Sequence, residues 1–480
     1  MPFKGSSNTL RLLKYVYHIW THMPIQILSL LVSSVLLVGV ALCLLLNLRS
    51  SPATGRAVPL AVSLSQTGSE QELKLFLPII QKSTNLTDEA FLDEIQQRVV
   101  IYFWQEADPQ TGLVKDRAGN FEPDNYTVSS TAAVGFGLVA LAIGESRGWL
   151  SHKQAYQRTL TTLRFLRDEL PHEHGFYYHF VDYQTGQRVW NSEVSSIDTA
   201  WLLAGVLFAA EFYGGTEVEA LANDIYQRVD FEWMLIDGGQ RPDELLLNHG
   251  WTPESGFLPY RWDTYSELML LYLLAIGSPT HPIPAESWAA WARPQGTYAG
   301  YTTFAQGPLF THQFSQARID FEGRRDGLGY DYFQSSINAT LANRQFCLDN
   351  EELYQTYDEY SWGLSASDGP DGYQAYGAPP GYPVHDGTIA PAAVAGSIVF
   401  TPDLSLTTLK TMREQYGDRI WGRYGFSDAF NVDRDWWDQD VIAIDAGITL
   451  LMIENYRSGF VWQTFEQNKS IQQALEVTGF

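Results

Sequence analysis

The chain has 480 residues and a formal net charge of −24, from 55 Asp and Glu against 31 Lys and Arg. A nucleic-acid partner or an anionic membrane surface would require clustered Lys and Arg, so this charge balance argues against both. Aromatic residues make up 14% of the chain. We therefore expect a neutral or cationic ligand, and the many aromatic residues could supply flat apolar faces to bind it.

The N-terminal part has the pattern of a membrane anchor. Residues 1–24 carry three basic residues, and residues 25–48 then run without a charge. At about 1.5 Å per residue this run spans about 36 Å as a helix, which crosses a bilayer core and is long for a cleavable signal peptide. We predict a cytoplasmic segment followed by a single transmembrane signal anchor in the lipid bilayer. A cleaved long signal peptide is the alternative, and either one places the rest of the chain outside the cytoplasm.

The remainder divides into a linker and one large domain. Residues 49–86 are rich in Ser, Thr, Gly and Pro, which favours a tether. Residues 87–480 show no further low-complexity break that would mark a second domain. Cys43 lies in the uncharged run and Cys347 stands alone in the large domain, so the sequence predicts no disulfide within that domain.

Helical segments dominate the large domain. Several begin with Ser or Thr at a cap position and end near Gly. Some, such as 132–142 and 201–210, are apolar on nearly every face, whereas others, such as 153–167 and 404–416, are amphipathic. The predicted helices cover residues 87–106, 129–146, 151–170, 195–213, 216–232, 264–276, 286–292, 332–349, 388–397, 404–416 and 440–456.

This alternation predicts an all-α fold, an (α/α)6 toroid in which a ring of buried helices lies inside a ring of amphipathic ones. Eleven or twelve helices would supply the six pairs. A helical-repeat solenoid is the alternative, but it would show a fixed sequence period and none is visible. Residues 175–191 differ, because strand-like residues flank Thr185-Gly186 and predict a small β-hairpin.

The stretch 256–282 holds the first candidate acids. Aromatic residues lead to Asp263 and Glu267, ahead of an apolar helix that ends at Gly277. Acids in a first helical turn complement the helix dipole, so a capping role competes with chemistry, above all for Asp263. Glu267, four residues further on, would be desolvated among aromatics, which raises a carboxyl pKa towards the range of a general acid.

The loops between helices carry further carboxylates and aromatics. In a toroid the inner helices present one set of ends to a common cleft, so these loops should meet there. Asp445 stands out because it lies in the otherwise apolar run 441–452, where a buried acid needs a partner or a task. Turn or cap chemistry fits the others as well, including Asp198 and Asp428. The candidate substrate-binding residues are Glu193, Asp198, Trp262, Asp263, Tyr265, Trp362, Asp368, Tyr373, Asp386, Tyr424 and Phe426.

Metal and nucleophile chemistries are not indicated. His172 and His174 flank Glu173, but the sequence has no dense set of His, Cys and carboxylates at zinc spacing. It has neither a G-x-S-x-G motif nor a phosphate-binding glycine loop. We therefore predict no metal and no cofactor. Paired carboxylates in an aromatic cleft are typical of glycoside hydrolysis, in which one acid protonates the leaving oxygen and the other activates water or attacks the anomeric carbon.

An ordered series of motifs resembles the bacterial glycoamylase-like family, which includes endo-β-1,2-glucanases and is related to modules of cyclic β-1,2-glucan synthases. The resemblance covers about residues 91–462 and is carried by the motifs at 191–199, 277–282, 362–373, 385–388, 424–431, 444–447 and 453–459. It implies an (α/α)6 barrel and an inverting mechanism, with Glu267 as general acid and Asp445, or else Asp428, as base. The family pattern has Gln and Pro around the last aspartate, where this chain has Ala446 and Ile448.

The sequence thus predicts a membrane-anchored hydrolase of a β-glucan, β-1,2-linked by the resemblance. Its expected location is the inner membrane, with the large domain periplasmic or extracellular. One alternative is an accessory protein that binds glucan without cleaving it, motivated by the tether and by Ala446 and Ile448. Another is a transglycosylase that closes or transfers glucan chains.

Overall fold

The computed structural model describes residues 86–235, 237, 241 and 245–480. The predicted cytoplasmic segment, the transmembrane anchor at 25–48 and the linker up to residue 85 lie outside the described residues. Among the residues that are described, no helix has the length and apolar character needed to cross a membrane.

Helices are the main secondary structure of the described chain. They are α1 (Asp88–Gln105), α2 (Thr131–Ser146), α3 (His152–Asp168), α4 (Ser196–Phe212), α5 (Glu217–Gln227), α6 (Phe231–Leu235), α7 (Met269–Ile276), α8 (Ser287–Ala290), α9 (Phe310–Gln313), α10 (Tyr332–Asp349), α11 (Pro391–Ala395), α12 (Pro402–Ile420), α13 (Ala443–Ser458), α14 (Phe460–Phe465) and α15 (Lys469–Thr478). A 3-10 turn, Ser315–Ala317, follows α9.

The buried helices form an inner ring. Its members α2, α4, α7, α11 and α13 are buried on nearly all faces, and α9 with its 3-10 turn completes it. On one side of α9, the Leu270 N–H of α7 donates to the Ser315 hydroxyl at 3.2 Å. On the other side, the Gln313 amide donates to the Ala393 carbonyl of α11 at 2.7 Å. The outer helices α1, α3, α5, α10, α12 and α15 pack around this ring, which confirms the predicted helical barrel.

Helices α2 and α4 cross in backbone contact, at Gly135 and Gly205. A Cβ added to Gly205 would lie 2.1 Å from the carbonyl oxygen of Gly135. Because backbone rather than a movable side chain blocks the methyl group, Gly205→Ala must separate the two helices. We expect it to lower the free energy of unfolding by about 1–3 kcal/mol or more, measured by urea denaturation. In Gly214→Ala, the control, the nearest atom is 3.6 Å away, so its stability should be near normal. Equal stabilities for the two variants would contradict this packing.

Short antiparallel strands connect the helices. They are β1 (Arg117–Gly119), β2 (Val128–Ser130), β3 (His172–Glu173), β4 (Phe176–Tyr177), β5 (Phe180–Asp182), β6 (Val194–Ser195), β7 (Gly250–Thr252), β8 (Gly256–Phe257), β9 (Gln295–Tyr298), β10 (Tyr301–Phe304), β11 (Ala366–Ser367), β12 (Gln374–Ala375), β13 (Trp421–Gly422), β14 (Gly425–Phe426), β15 (Phe430–Asn431), β16 (Trp436–Trp437) and β17 (Asp440–Ile442). Strands of two to four residues are too short to leave a period-2 pattern, which is why the sequence predicted only one hairpin.

The hairpin predicted at 175–191 is only partly correct. The main partner of β5 is β2, with Ser129 opposite Val181. The second strand expected for the hairpin is reduced to a single β-bridge between Val181 and Arg188. Three of the strands, β2, β6 and β17, run directly into the inner helices α2, α4 and α13. Their pairing with β5, β7 and β1 therefore fixes where those three inner helices begin.

The start of α7 corrects another prediction. A helix was expected from residue 264, but α7 begins at Met269. The preceding segment is held in a different conformation because the Tyr265 N–H donates to the Ala292 carbonyl at 2.8 Å and the Trp262 N–H to the Leu247 carbonyl at 2.9 Å. Asp263 and Glu267 therefore precede the helix and do not occupy its first turn.

Candidate active site

The N-terminal ends of three inner helices carry candidate acids. Asp198 is the third residue of α4, Asp445 is the third residue of α13, and Glu267 lies two residues before α7. Asp198 and Asp445 are buried, and Glu267 is partly exposed. The buried ring of the barrel thus presents acids at or just before the starts of three of its helices.

The position of Glu267 is fixed through its backbone. The Ser315 hydroxyl donates to the Glu267 carbonyl at 2.8 Å and also accepts from the Leu270 N–H at 3.2 Å. Burial raises the pKa of the Glu267 carboxyl to about 7, and the negative charge of Asp198 adds to this rise. A large fraction of Glu267 is therefore protonated near neutral pH, as a general acid requires.

A histidine joins two of the other predicted acids. Nδ1 of His179 lies 3.0 Å from Glu193, and Nε2 lies 3.4 Å from Asp198. The Ser195 hydroxyl donates to the second oxygen of Asp198 at 2.6 Å. Burial alone would lower the pKa of His179, but the carboxylates of Asp198 and Glu193 outweigh it and raise that pKa to about 9. The imidazolium therefore holds both acids in place at neutral pH.

The charge of Asp198 should appear in the pH dependence of activity. A general acid works only while protonated, so activity should fall as pH rises through the pKa of Glu267. Asp198→Asn removes a negative charge that raises this pKa. We expect the alkaline limb of the kcat profile to move to lower pH. Asp403→Asn, an exposed site in the first turn of α12, should leave the limb in place. An unchanged limb in Asp198→Asn would show that Asp198 does not act on the general acid.

Six carboxylates gather around the start of α13, and we call them the aspartate cluster. Arg117 forms an ion pair with Asp368 at 2.6 Å and lies 3.8 Å from both Asp116 and Asp440. One guanidinium cannot neutralise six negative charges, so the cluster should retain protons near neutral pH. Its members are Asp116, Asp368, Asp428, Asp438, Asp440 and Asp445.

Asp428 and Asp445 form the most deeply buried pair of the cluster. Oδ2 of Asp428 accepts from the Asp368 N–H at 2.8 Å. Burial and the neighbouring negative charge of Asp445 raise the pKa of Asp428 well above its usual range. Burial raises the pKa of Asp445 to about 7, and a hydrogen bond from Asp428 opposes that rise. The pKa of Asp428 is raised further than that of Asp445 because the charges of Asp445, Asp438 and Asp368 all act on it, so we assign the proton of this pair to Asp428 and the charge to Asp445.

Asp116 links the two halves of the site, and no sequence pattern marks it. Burial raises its pKa to about 6, and the charges acting on it include those of His179 and Asp198 as well as Arg117 and Asp368. Asp116 also adds to the pKa of Asp445. The Glu267 side and the Asp445 side therefore belong to one electrostatic site. Asp116 lies between Lys115 and Arg117, a run of charges that resembles an ordinary solvent-exposed turn.

Four predicted substrate-binding residues have structural contacts within the protein. Trp362 and Tyr265 are fully buried, with the Trp362 indole donating to Thr408 at 3.0 Å and the Tyr265 ring stacked on Phe304 at 4.1 Å. Tyr424 is buried with its hydroxyl on Glu106. Asp386 accepts from the Thr388 N–H at 2.9 Å, as a turn residue does. The structure thus engages these four side chains in the protein's own packing or turns, and their role in substrate binding stays a prediction.

The other predicted residues remain near the candidate acids. Trp262 and Asp263 line an open groove of about 670 Å³, together with His249, Tyr260 and Ser266, the neighbour of Glu267. Trp262 stacks on His249 at 3.9 Å. Trp262 itself is buried, so the aromatic face that the groove offers to the C–H face of a sugar ring is that of Tyr260, which is 62% exposed.

Tyr373 and Phe426 lie on the side of the aspartate cluster. Tyr373 is half-exposed, and burial together with the charges of Asp445 and Asp428 raises the pKa of its hydroxyl. Phe426 is partly buried against Trp421, with ring centroids 4.8 Å apart. Phe426 also borders a small cavity of about 20 Å³ that reaches Asp428 and Asp445, room for one water molecule.

Two side-chain groups in the site have the geometry to hold a cation. The possible ligand atoms of His179, Glu193 and Asp198 lie within 4.8 Å of one another, and so do those of Asp368, Asp428 and Asp438. In the first group a protonated His179 has no free ring nitrogen for a metal. The absence of a metal and of a cofactor stays a prediction.

Known proteins of similar sequence and fold point to one family. A family model described as "Putative glucoamylase" matches residues 259–469. A crystal structure from Bacteroides fragilis NCTC 9343, whose protein carries the same description, is 32% identical, with a TM-score of 0.74, covering 83% of this chain and 98% of that one. The chain belongs to the glycoamylase-like family.

Two further members carry more specific names. The endo-β-1,2-glucanase from Chitinophaga pinensis, solved with sophorotriose and glucose, is 29% identical with a TM-score of 0.73, covering 82% of this chain and 99% of that one. The exo β-1,2-glucooligosaccharide sophorohydrolase from Parabacteroides distasonis is 28% identical over 429 residues, or 82% of this chain. The chain spans 58% of the length of that curated relative.

Proposed function

We propose that this glycoamylase-like protein hydrolyses β-1,2-glucan with inversion at the anomeric carbon. The observation that carries the proposal is the pairing of a carboxyl with a pKa of about 7, Glu267, with a buried aspartate pair in the same electrostatic site. Glycoside hydrolysis requires such an acid and such a base.

In the proposed reaction Glu267 is the general acid and Asp445 the general base. Glu267 donates its proton to the glycosidic oxygen as the bond to the anomeric carbon breaks. Water attacks that carbon from the opposite face, and its proton passes to Asp445 directly or through a substrate hydroxyl or a second water. The water-derived hydroxyl is added on the face opposite the leaving group, so a β-glucan gives an α-configured product.

The substrate assignment is supported by the relatives and by the groove. The Chitinophaga enzyme is an endo-β-1,2-glucanase and the Parabacteroides enzyme releases sophorose units from β-1,2-glucooligosaccharides. In this chain the groove lined by Ser266, the neighbour of Glu267, exposes the aromatic ring of Tyr260. Neutral sugar rings fit that surface.

A panel of glucans tests the proposal. Purified full-length protein is incubated with β-1,2-, β-1,3-, β-1,4- and α-1,4-glucans, and new reducing ends are measured. We expect release from the β-1,2-glucan, with the α-anomer appearing first by NMR. No release from any glucan would exclude hydrolysis and favour a binding protein. New linkages or closed rings would identify a transglycosylase instead.

We also propose that residues 25–48 anchor the protein in the inner membrane, with the large domain on the periplasmic or extracellular side. The support is the uncharged run and the basic residues before it. Membrane fractionation followed by protease treatment of spheroplasts tests this. Recovery of the chain in the soluble fraction would contradict the anchor.

A further inference from the structure

Trp190 projects into solvent from a turn near the candidate active site. Its side chain is 63% exposed, an unusual position for a large apolar residue. The backbone φ angles of Trp190 and Asn191 are +55° and +51°. Bulky residues rarely adopt this left-handed region, and such residues are concentrated at functional sites.

The turn is built to hold this conformation. The Arg188 guanidinium donates to the carbonyls of Asn191 and Ser192, both at 2.6 Å. Its other side forms an ion pair with Glu254 at 2.7 Å. The Ser192 N–H also donates to the Val189 carbonyl at 3.0 Å. These contacts fix the backbone on both sides of Trp190 while its ring stays outside the core.

Aromatic contacts connect Trp190 to the His179 side of the site. The centroid of the Trp190 ring lies 5.1 Å from that of Phe180, and the Phe180 ring stacks on His179 at 3.8 Å. His179 in turn contacts Asp198 at 3.4 Å. Trp190 therefore lies two ring contacts from a histidine that touches a carboxylate acting on Glu267.

Tyr126 connects Trp190 to the other side of the site. The centroids of the Tyr126 and Trp190 rings are 6.5 Å apart. The Asp116 N–H donates to the carbonyl of Val128, two residues beyond Tyr126, at 2.8 Å, which brings Tyr126 close to the aspartate cluster. Burial and the charge of Asp116 raise the pKa of the Tyr126 hydroxyl, and Arg117 opposes the rise. The two rings thus form a surface that is continuous with both halves of the candidate active site.

We propose that Trp190 and Tyr126 form a distal subsite that stacks against a glucose ring of a β-1,2-glucan chain whose scissile bond lies at Glu267. This inference rests on the proposed function for the identity of the chain. The exposed face of the Trp190 indole is flat and apolar, as is the C–H face of a pyranose, so a neutral sugar ring can stack on it. The subsite should contribute to the binding of long chains and not to the chemistry.

Trp190→Gly removes the ring with little strain, because glycine adopts positive φ freely. We expect the KM for long β-1,2-glucan to rise about tenfold, with kcat within about twofold of wild type. The KM for the shortest oligosaccharide that the wild type cleaves should be unchanged, and Trp190→Phe should restore most of the affinity. Tyr456→Ala removes an exposed aromatic eleven residues beyond Asp445 in α13, about 16 Å along the helix, and should change neither value.

Calorimetry with a Glu267→Gln background separates this inference from the proposed function. If the wild type cleaves β-1,2-glucan but Trp190→Gly binds long chains normally, the distal subsite is excluded and hydrolysis stands. If no glucan is cleaved but Trp190→Gly weakens binding of the long chain, the subsite stands and hydrolysis is excluded. Equal weakening for long and short chains would overturn the distal position.

Discussion

Replacing Glu267 by Gln should lower kcat on β-1,2-glucan between about 10²-fold and 10⁴-fold, the range that a general acid contributes. Gln has the same shape and leaves the contact of the Glu267 backbone with Ser315 in place, but its amide is not acidic enough to protonate the leaving oxygen. Substrate binding should change little, since the loss is confined to the transition state. Steady-state kinetics with calorimetric binding would measure both quantities.

A substrate with a good leaving group makes this test specific. In an aryl β-sophoroside made from an acidic phenol, the phenolate leaves without being protonated. Glu267→Gln should therefore cleave this aryl bond far better than it cleaves glucan. Glu476→Gln, at an exposed position of α15, is the matched control and should behave as wild type. Near-normal kcat on glucan in Glu267→Gln would remove Glu267 from the mechanism.

The barrel could be predicted because its signal is spread over whole helices. Helices such as α2 and α4 are apolar all round and had to lie inside, whereas α3 and α5 are amphipathic and had to lie outside. The four-residue helix α9 escaped detection for the opposite reason. The four residues of α9 complete the inner ring through Gln313 and the Ser315 that follows it, contacts that leave no periodic pattern.

The candidate acids were predictable where an acid interrupts an apolar run, as Asp445 does. Asp116 and His179 were not, because their importance comes from partners that are distant in the sequence. His179 contacts Glu193 and Asp198, 14 and 19 residues further along the chain. Whether an aromatic ring in a loop points to the core or to solvent could not be predicted from the sequence either. Trp362 faces the core and Trp190 faces solvent, and local sequence does not distinguish them.

The second large expected effect is the loss of kcat when the general base, Asp445 or Asp428, is replaced. If Asp428 carries the shared proton, Asp445 is the ionised member and the base. Asp445→Asn should then lower kcat between about 10²-fold and 10⁴-fold with little change in binding. Asp428→Asn replaces a protonated acid by an amide that can still donate to Asp445, so a substantial part of the activity should remain.

The pH profile of Asp428→Asn distinguishes this assignment from a general loss of structure. A base works only when deprotonated, so activity rises with pH through the pKa of Asp445. Burial raises that pKa to about 7, while the hydrogen bond from Asp428 lowers it. Whenever Asp428 loses its proton, however, its negative charge opposes ionisation of Asp445, and the neutral amide introduced by the substitution cannot do so. The acidic limb should therefore stay in place or move to lower pH. Complete loss of activity in Asp428→Asn with an active Asp445→Asn would reverse the roles and make Asp428 the base.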